Sequence, residues 1–128
     1  MSPRTAALLI GIIFIAVGLL GFVDNPIVGA SDTAIFHADK VHNLVHIVSG
    51  VLFVLIALAA PGASAGFLIL FGLVYLAIGI IGLVTADADG MAEVLGFLHV
   101  NKNDDYLHIG LGILIFLLGV ATRRRRAV

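Results

Sequence analysis

Four long apolar stretches constrain the fold of this chain more than any other feature of its sequence. They cover residues 6–23, 41–60, 67–84 and 106–122, and none of them contains Asp, Glu, Lys or Arg. A transmembrane helix needs roughly 20 consecutive apolar residues, so each stretch is long enough to cross a bilayer. We therefore predict an all-α fold, a four-helix transmembrane bundle in which residues 1–128 form a single integral membrane domain.

The overall composition agrees with this prediction. Hydrophobic residues make up 61% of the chain and charged residues 12%, whereas a soluble domain has roughly 45–50% and 25%. Four spans use most of the chain, which leaves no room for a separate soluble domain. The chain has no cysteine, which excludes disulfides, thiolate metal sites and cysteine nucleophiles. The expected surroundings are the lipid bilayer, and no nucleic-acid partner is expected.

The positive charges predict how the chain is oriented. Arg4 precedes the first span, and a run of four arginines at 123–126 follows the fourth. The positive-inside rule then places both termini of this multi-pass protein in the cytoplasm. The loops 24–40 and 85–105 would face outward. They hold every acidic residue of the chain, namely Asp24, Asp32, Asp39, Asp87, Asp89, Glu93, Asp104 and Asp105.

The second half of the chain repeats the first. Residues 11–23 align with residues 72–84, and residues 36–50 align with residues 98–112. Identical pairs in the second alignment include His37 with His99, Lys40 with Lys102, His46 with His108, and Gly50 with Gly112. Apolar spans often align by chance on Leu, Ile and Gly, but rarely on two histidines and a lysine. We predict two tandem helical-hairpin repeats, at about 6–60 and 67–122, related by a pseudo-two-fold axis along the membrane normal.

Each repeat carries a polar motif at the start of its second span. Residues four apart share a helix face, so His42 stacks on His46 and Asp104 stacks on His108. The pseudo-symmetry can bring these four side chains together. Three imidazoles and a carboxylate are a competent ligand set for a divalent transition metal such as zinc or copper. Asn43 or Asp105 could orient a ligand from outside this set.

The other two histidines precede the spans. Asp39 and Asn101 are good N-cap residues, so spans two and four should begin there. His37 and His99 then lie on short interfacial segments at about 31–37 and 91–99. Ser31 resembles a cap for the first segment, and Val94, Leu95, Phe97 and Leu98 give the second an apolar side to lay on the lipid. The two histidines could cover the site from above or lie at the level of the lipid headgroups.

Other interpretations of the histidines stay open. His46 and His108 could hydrogen-bond between helices and only stabilise the bundle, as in a structural or accessory protein that contacts partner membrane proteins or forms a homodimer. Haem held between His46 and His108 is a further alternative, with Gly50, Gly110 and Gly112 supplying room. An enzyme is not favoured, because the segment from His42 to His46 has Asn43 where the zinc-protease motif has its glutamate.

The two motifs also resemble those of a known family. The segment HNLVHIVSG, from His42 to Gly50, and the segment NDDYLHIGLG, from Asn103 to Gly112, are similar to those of a small bacterial four-span family, the domain of unknown function four-three-eight-three. Asp105 stands where the second motif usually has Asn. The resemblance extends over nearly the whole chain. It implies the same four-span topology and a location in the bacterial inner membrane. It implies no activity, because the family has none assigned.

Overall fold

The computed structural model of the chain describes residues 1–31 and 33–127, and the side chains of residues 124–127 are outside this description. Asp32 therefore lies outside the described residues, as do the side chains of the part of the predicted arginine run that follows Arg123.

The four predicted spans are α-helices in the structure. They are α1 (Pro3–Leu20), α2 (Lys40–Ala59), α3 (Ser64–Thr85) and α4 (Lys102–Ala127). All four are long and apolar enough to cross a membrane. The 18 residues of α1 extend about 27 Å at 1.5 Å per residue, close to the roughly 30 Å of a bilayer core. The predicted all-α four-helix bundle is confirmed.

Polar residues define the helix starts. The Asp39 side chain accepts a hydrogen bond of 2.9 Å from the backbone N–H of His42 and so caps α2. Asn101 and Asp104 cap α4 reciprocally, since the side chain of each accepts a 2.8 Å hydrogen bond from the backbone N–H of the other. Both predicted N-caps are therefore observed. A short 3₁₀ turn, Pro61–Ala63, joins α2 to α3.

The bundle is built from two closely packed helix pairs, α1 with α2 and α3 with α4. A methyl group at Gly11 would lie 2.8 Å from the carbonyl oxygen of Gly50, and one at Gly72 would lie 2.7 Å from that of Gly112. Both distances are shorter than any real methyl–oxygen contact, so only glycine permits this approach. Equivalent glycines thus make equivalent contacts in both pairs. The internal duplication that would explain this similarity stays a prediction.

Aromatic side chains fill the space where the two pairs meet. Phe53 of α2 is fully buried, and its ring centroid lies 5.7 Å from that of Phe14 in α1 and 4.7 Å from that of Phe71 in α3. The outward faces are apolar too. Exposed large side chains there include Ile12, Leu52, Leu70 and Leu114. This distribution is typical of a bundle surrounded by lipid.

The two longer loops meet at one end of the bundle and contain four short strands. Strand β1 (Val28–Gly29) pairs in parallel with β2 (Phe36–His37), and β3 (Ala92–Val94) pairs antiparallel with β4 (Leu98–Val100). The β3–β4 segment differs from the predicted arrangement, in which all its apolar residues lie on the lipid. Strand side chains alternate between two faces, so Val94 and Leu98 are buried while Glu93 and His99 are exposed. Leu95 and Phe97, in the turn between the strands, are exposed.

Candidate functional site

The first turns of α2 place two histidines on one helix face. The Asp39 cap fixes the start of the helix, so His42 lies in its first turn and His46 one turn later. Their ring centroids are 4.6 Å apart. This is the stacking that the four-residue spacing predicts.

Helix α4 adds a third histidine to the group. The ring centroid of His108 lies 5.6 Å from that of His42 and 6.3 Å from that of His46. Each histidine offers one ring nitrogen, and these three nitrogens all lie within 4.8 Å of one another. The exposed fractions of His42 and His108 are only 2% and 3%. We call these three residues the histidine cluster.

The hydrogen bonding of the cluster is incomplete. The Nδ1 atoms of His42, His46 and His108 are buried, and none forms a hydrogen bond with any described residue. Buried polar atoms in native proteins nearly always have a partner. Interhelical hydrogen bonding, which the structural interpretation of these histidines invokes, is therefore not seen at these three atoms.

Aromatic rings of α1 and α3 pack against two histidines of the cluster. The ring centroid of Phe14 lies 6.0 Å from that of His46, and the ring of Tyr75 meets that of His108 edge-on at 5.2 Å. Phe14 and Tyr75 occupy aligned positions in the two halves of the sequence. The alignment relates the two positions only to each other, and the sequence analysis did not predict that either ring would lie near the histidines.

Asp104 has a different position from the three histidines. Its Oδ2 atom accepts one hydrogen bond from the backbone N–H of Asn101 at 2.8 Å and another from that of His37 at 3.1 Å. Asp104 is not among the side chains whose ligand atoms lie within 4.8 Å of one another. In the structure Asp104 caps α4 and holds the loop before α2. Its predicted role as a metal ligand stays a prediction.

The histidines that precede the helices lie above the cluster end of the bundle. His37 belongs to β2 and is half-buried. His99 is exposed, and its Nδ1 lies 3.2 Å from Oδ2 of Asp39, the residue that caps His42. The Nε2 atom of His99 lies 3.8 Å from Oε1 of Glu93. These contacts connect β4 to the start of α2. That His37 and His99 cover the histidine site stays a prediction.

Asn43 and Asp105 lie against neighbouring helices. The side chain of Asn43 contacts Gly21 of the α1–α2 connection, and that of Asp105 contacts Gly82 of α3. Each position follows from helix geometry, because the next residue along a helix is rotated by about 100° from the cluster face. Asn43 Oδ1 and both carboxylate oxygens of Asp105 are buried and lack a hydrogen-bond partner among the described residues. The predicted orienting role of either side chain stays a prediction.

A cavity of about 220 Å³ adjoins the histidine cluster. Its walls come from α2, α3, α4 and the β3–β4 hairpin. Besides the three histidines, they include Val45, Ser49, Phe71, Val74, Tyr75, Ile78, Leu95, Phe97 and Leu98. Pockets for drug-sized ligands have roughly 300–1,000 Å³, so this cavity is smaller than those. Haem held between His46 and His108 stays a prediction. No sequence pattern indicated the cavity, because it depends on how the helix pairs and the hairpin fit together.

The geometry of the three histidines suits a small cation. Three imidazoles and an open fourth position are the ligand set of many catalytic zinc sites. Ligand nitrogens at 2.0–2.1 Å from a tetrahedral ion are about 3.3 Å apart. The cluster nitrogens, within 4.8 Å of one another, would have to approach further, by rotation of the imidazole side chains.

Comparison with known proteins identifies the family. The model of a domain of unknown function, DUF4383, matches residues 4–121. Searches of curated proteins and of solved structures found no significant match. Because the family model covers nearly the whole chain, and because the four apolar helices agree with the family's four-span topology, this protein belongs to the DUF4383 family.

Proposed function

We propose that this protein binds a divalent transition metal ion, such as zinc or copper, through His42, His46 and His108. One observation carries the proposal. Two buried imidazoles and the half-buried imidazole of His46, from two helices, offer ring nitrogens within 4.8 Å of one another, and their Nδ1 atoms have no hydrogen-bond partner in the described chain. Imidazole is the commonest protein ligand for such ions. Coordination to a metal ion would offset the free-energy cost of burying unpaired ring nitrogens.

We further propose that the cluster faces the extracytoplasmic side of the membrane. The support comes from charge. Arg4 lies at the start of α1, and Arg123 lies at the far end of α4 from the cluster, so the described arginines are at the opposite end of the bundle. The positive-inside rule places that end in the cytoplasm. The protein would then handle metal near the outer leaflet.

A second function is favoured by the aromatic contacts of the cluster. His46 and His108 pack on Phe14 and Tyr75, as they would if they only stabilised the bundle. In that case the protein is a structural or accessory membrane protein. The two functions differ in one measurable property, because only the first requires stoichiometric metal.

The deciding experiment is elemental analysis of iron, copper and zinc in the purified protein without a histidine tag. We expect close to one ion per chain, and loss of that ion in the His46→Ala/His108→Ala variant. The matched control is His99→Ala, which removes an exposed histidine outside the cluster and should keep the ion. A wild-type protein without metal above background, even after incubation with each ion, would refute metal binding and favour the structural role.

A further inference from the structure

The cavity beside the histidine cluster opens at an apolar part of the protein surface. Three of its wall residues are also exposed at the protein surface, namely Val74 of α3 at 44%, Leu95 at 66% and Phe97 at 45%. All three are apolar, as are the outward faces of the four helices. From the aqueous end the cavity is covered by the β3–β4 hairpin, whose Val94 and Val100 are fully buried. A molecule would enter laterally, between α2 and α3, from the bilayer.

The inner end of this cavity is polar although its walls are apolar. The imidazole rings of His42, His46 and His108 line it, although their Nδ1 atoms are covered by protein. A neutral imidazole has one N–H donor and one bare nitrogen acceptor. A ligand with oxygen substituents can accept or donate a hydrogen bond at a ring nitrogen that the cavity reaches. The remaining walls require that the rest of the ligand be apolar.

Aromatic side chains and the volume specify the shape of the ligand. Phe71, Tyr75 and Phe97 line the cavity, and aromatic rings stack favourably on a flat ring. The volume of about 220 Å³ is below the roughly 300 Å³ of the smallest drug-sized pockets. The cavity therefore holds one ring and not a lipid with two acyl chains. The tail of such a ligand would leave through the lateral opening.

We propose that this cavity is a lateral binding site for a membrane-soluble quinone or quinol, with the oxygen-bearing ring at His42 and His108 and the apolar tail in the bilayer. A quinone carbonyl accepts a hydrogen bond from an imidazole N–H, and a quinol hydroxyl donates one to a bare imidazole nitrogen. The proposal goes beyond metal binding, because it requires the histidine side chains but no ion.

The turn of the β3–β4 hairpin, residues 95–97, covers the opening of the cavity. We call this turn the roof. Leu95 has φ of 57° and Gly96 has φ of 79°. The left-handed conformation is unfavourable for leucine, and such outliers occur often at ligand-binding sites. Here the unusual backbone of Leu95 places an apolar side chain over the entrance.

Binding can be measured with a tryptophan reporter, because the chain contains no tryptophan. Phe97→Trp places one at the roof, and Leu117→Trp places one on the exposed surface of α4, away from the cavity. Metal-free protein of each variant is reconstituted in phosphatidylcholine vesicles and titrated with decylubiquinone. We expect saturable fluorescence quenching in the Phe97→Trp variant and only linear, collisional quenching in the Leu117→Trp variant. Leu95→Trp is a second reporter if Phe97→Trp disturbs the fold.

Two further variants in the Phe97→Trp background locate the site. Val74→Phe should fill the opening and abolish saturation, whereas Val48→Phe, on a lipid-facing position of α2 outside the cavity, should not. His108→Ala should weaken binding about tenfold, as expected for loss of one hydrogen bond of about 1.4 kcal/mol. Thermal unfolding of each variant shows that it is folded.

The outcomes separate this proposal from metal binding. Linear quenching in both reporter variants would refute the quinone site. It would not bear on the metal proposal, which the metal content tests separately. Equal competition by decylbenzene, which has the tail and a ring but no oxygen, would also refute it and show a cavity for acyl chains only. Saturable quenching in metal-free protein that never acquires an ion would support the quinone site while refuting the metal site.

Discussion

The backbone N–H of His37 donates a hydrogen bond of 3.1 Å to Oδ2 of Asp104, a residue 67 positions later in the chain. The same oxygen accepts a second hydrogen bond, from the backbone N–H of Asn101 at the start of α4. One carboxylate therefore joins the loop that precedes α2 to the first turn of α4. Those two helices carry the histidine cluster. This link therefore sets the position of His42 relative to His108 along the axis of the bundle.

Replacing Asp104 with Ala should destabilise the protein. The change removes an N-terminal cap and two hydrogen bonds to a carboxylate, for a loss of about 2–3 kcal/mol. Thermal unfolding in detergent, followed by circular dichroism, measures the effect. Asp24→Ala is the control, since Asp24 is an exposed loop carboxylate. If Asp104 is a metal ligand as well, Asp104→Asn should lower the metal content while largely restoring stability. Unchanged metal content would restrict Asp104 to its capping role.

Two glycines of α4 should respond in opposite ways to alanine. A methyl group at Gly112 would lie 2.5 Å from the backbone nitrogen of Leu76, whereas one at Gly110 would meet no atom within 4 Å. Gly112→Ala must push α3 and α4 apart and should cost about 1–3 kcal/mol. Gly110→Ala should be neutral or stabilise by up to about 1 kcal/mol through helix propensity. Equal unfolding temperatures for the two variants would show that the helices do not approach at Gly112 as closely as described.

Exchanging the buried polar residues that face glycine should change stability in a predictable direction. Asp105 is fully buried, and neither of its carboxylate oxygens has a hydrogen-bond partner among the described residues. Asn43 occupies the aligned position of the first half and faces Gly21 as Asp105 faces Gly82. Because an amide carries no charge, Asp105→Asn should stabilise the fold by about 1–3 kcal/mol.

The reciprocal substitution is the control for Asp105→Asn. Asn43→Asp places a second carboxylate in an equivalent buried contact, and it should lower the unfolding temperature. A lower unfolding temperature for Asp105→Asn would instead mean that the carboxylate makes a favourable interaction, and its effect on bound metal would then need measurement.

Acidification should release any metal held by the histidine cluster. An imidazole must be neutral to coordinate, so protons compete with the ion for three ligands at once. Metal content measured after dialysis at a series of pH values should fall steeply below about pH 6. Readdition of the ion at neutral pH should restore it. Full retention at about pH 4.5, well below the ordinary pKa of histidine, would show that carboxylates rather than histidines hold the metal.

Cysteine labelling tests the orientation in the membrane. The chain has no cysteine, so each substitution creates a single reporter. Asp24→Cys and Asp89→Cys lie in the two longer loops, and Gly62→Cys lies in the short turn between α2 and α3. A membrane-impermeant maleimide added to intact cells should label the first two and not the third. The reverse pattern would place the histidine cluster on the cytoplasmic side.

The sequence alone predicted the four helices, the N-caps of α2 and α4, and the pairing of His42 with His46. These features depend on neighbouring residues, since apolar length, cap chemistry and the helical repeat all act within a few positions of the chain. The glycines at aligned positions of the two halves were visible too, although their partners were not. The two halves also indicated that His108 would lie near His46, and the structure places their ring centroids 6.3 Å apart.

Only the tertiary structure decided which polar side chains join the cluster. Asp104 was predicted beside the histidines, yet its carboxylate caps α4 and bonds to His37, because backbone N–H groups at a helix start compete for the same oxygen. The strand alternation that buries Val94 and Leu98 depends on the hairpin packing against α2 and α3. The cavity beside the histidine cluster arises from the fit of three helices and that hairpin. Contacts between residues so far apart in the chain are set by packing across the whole bundle, which local sequence patterns do not encode.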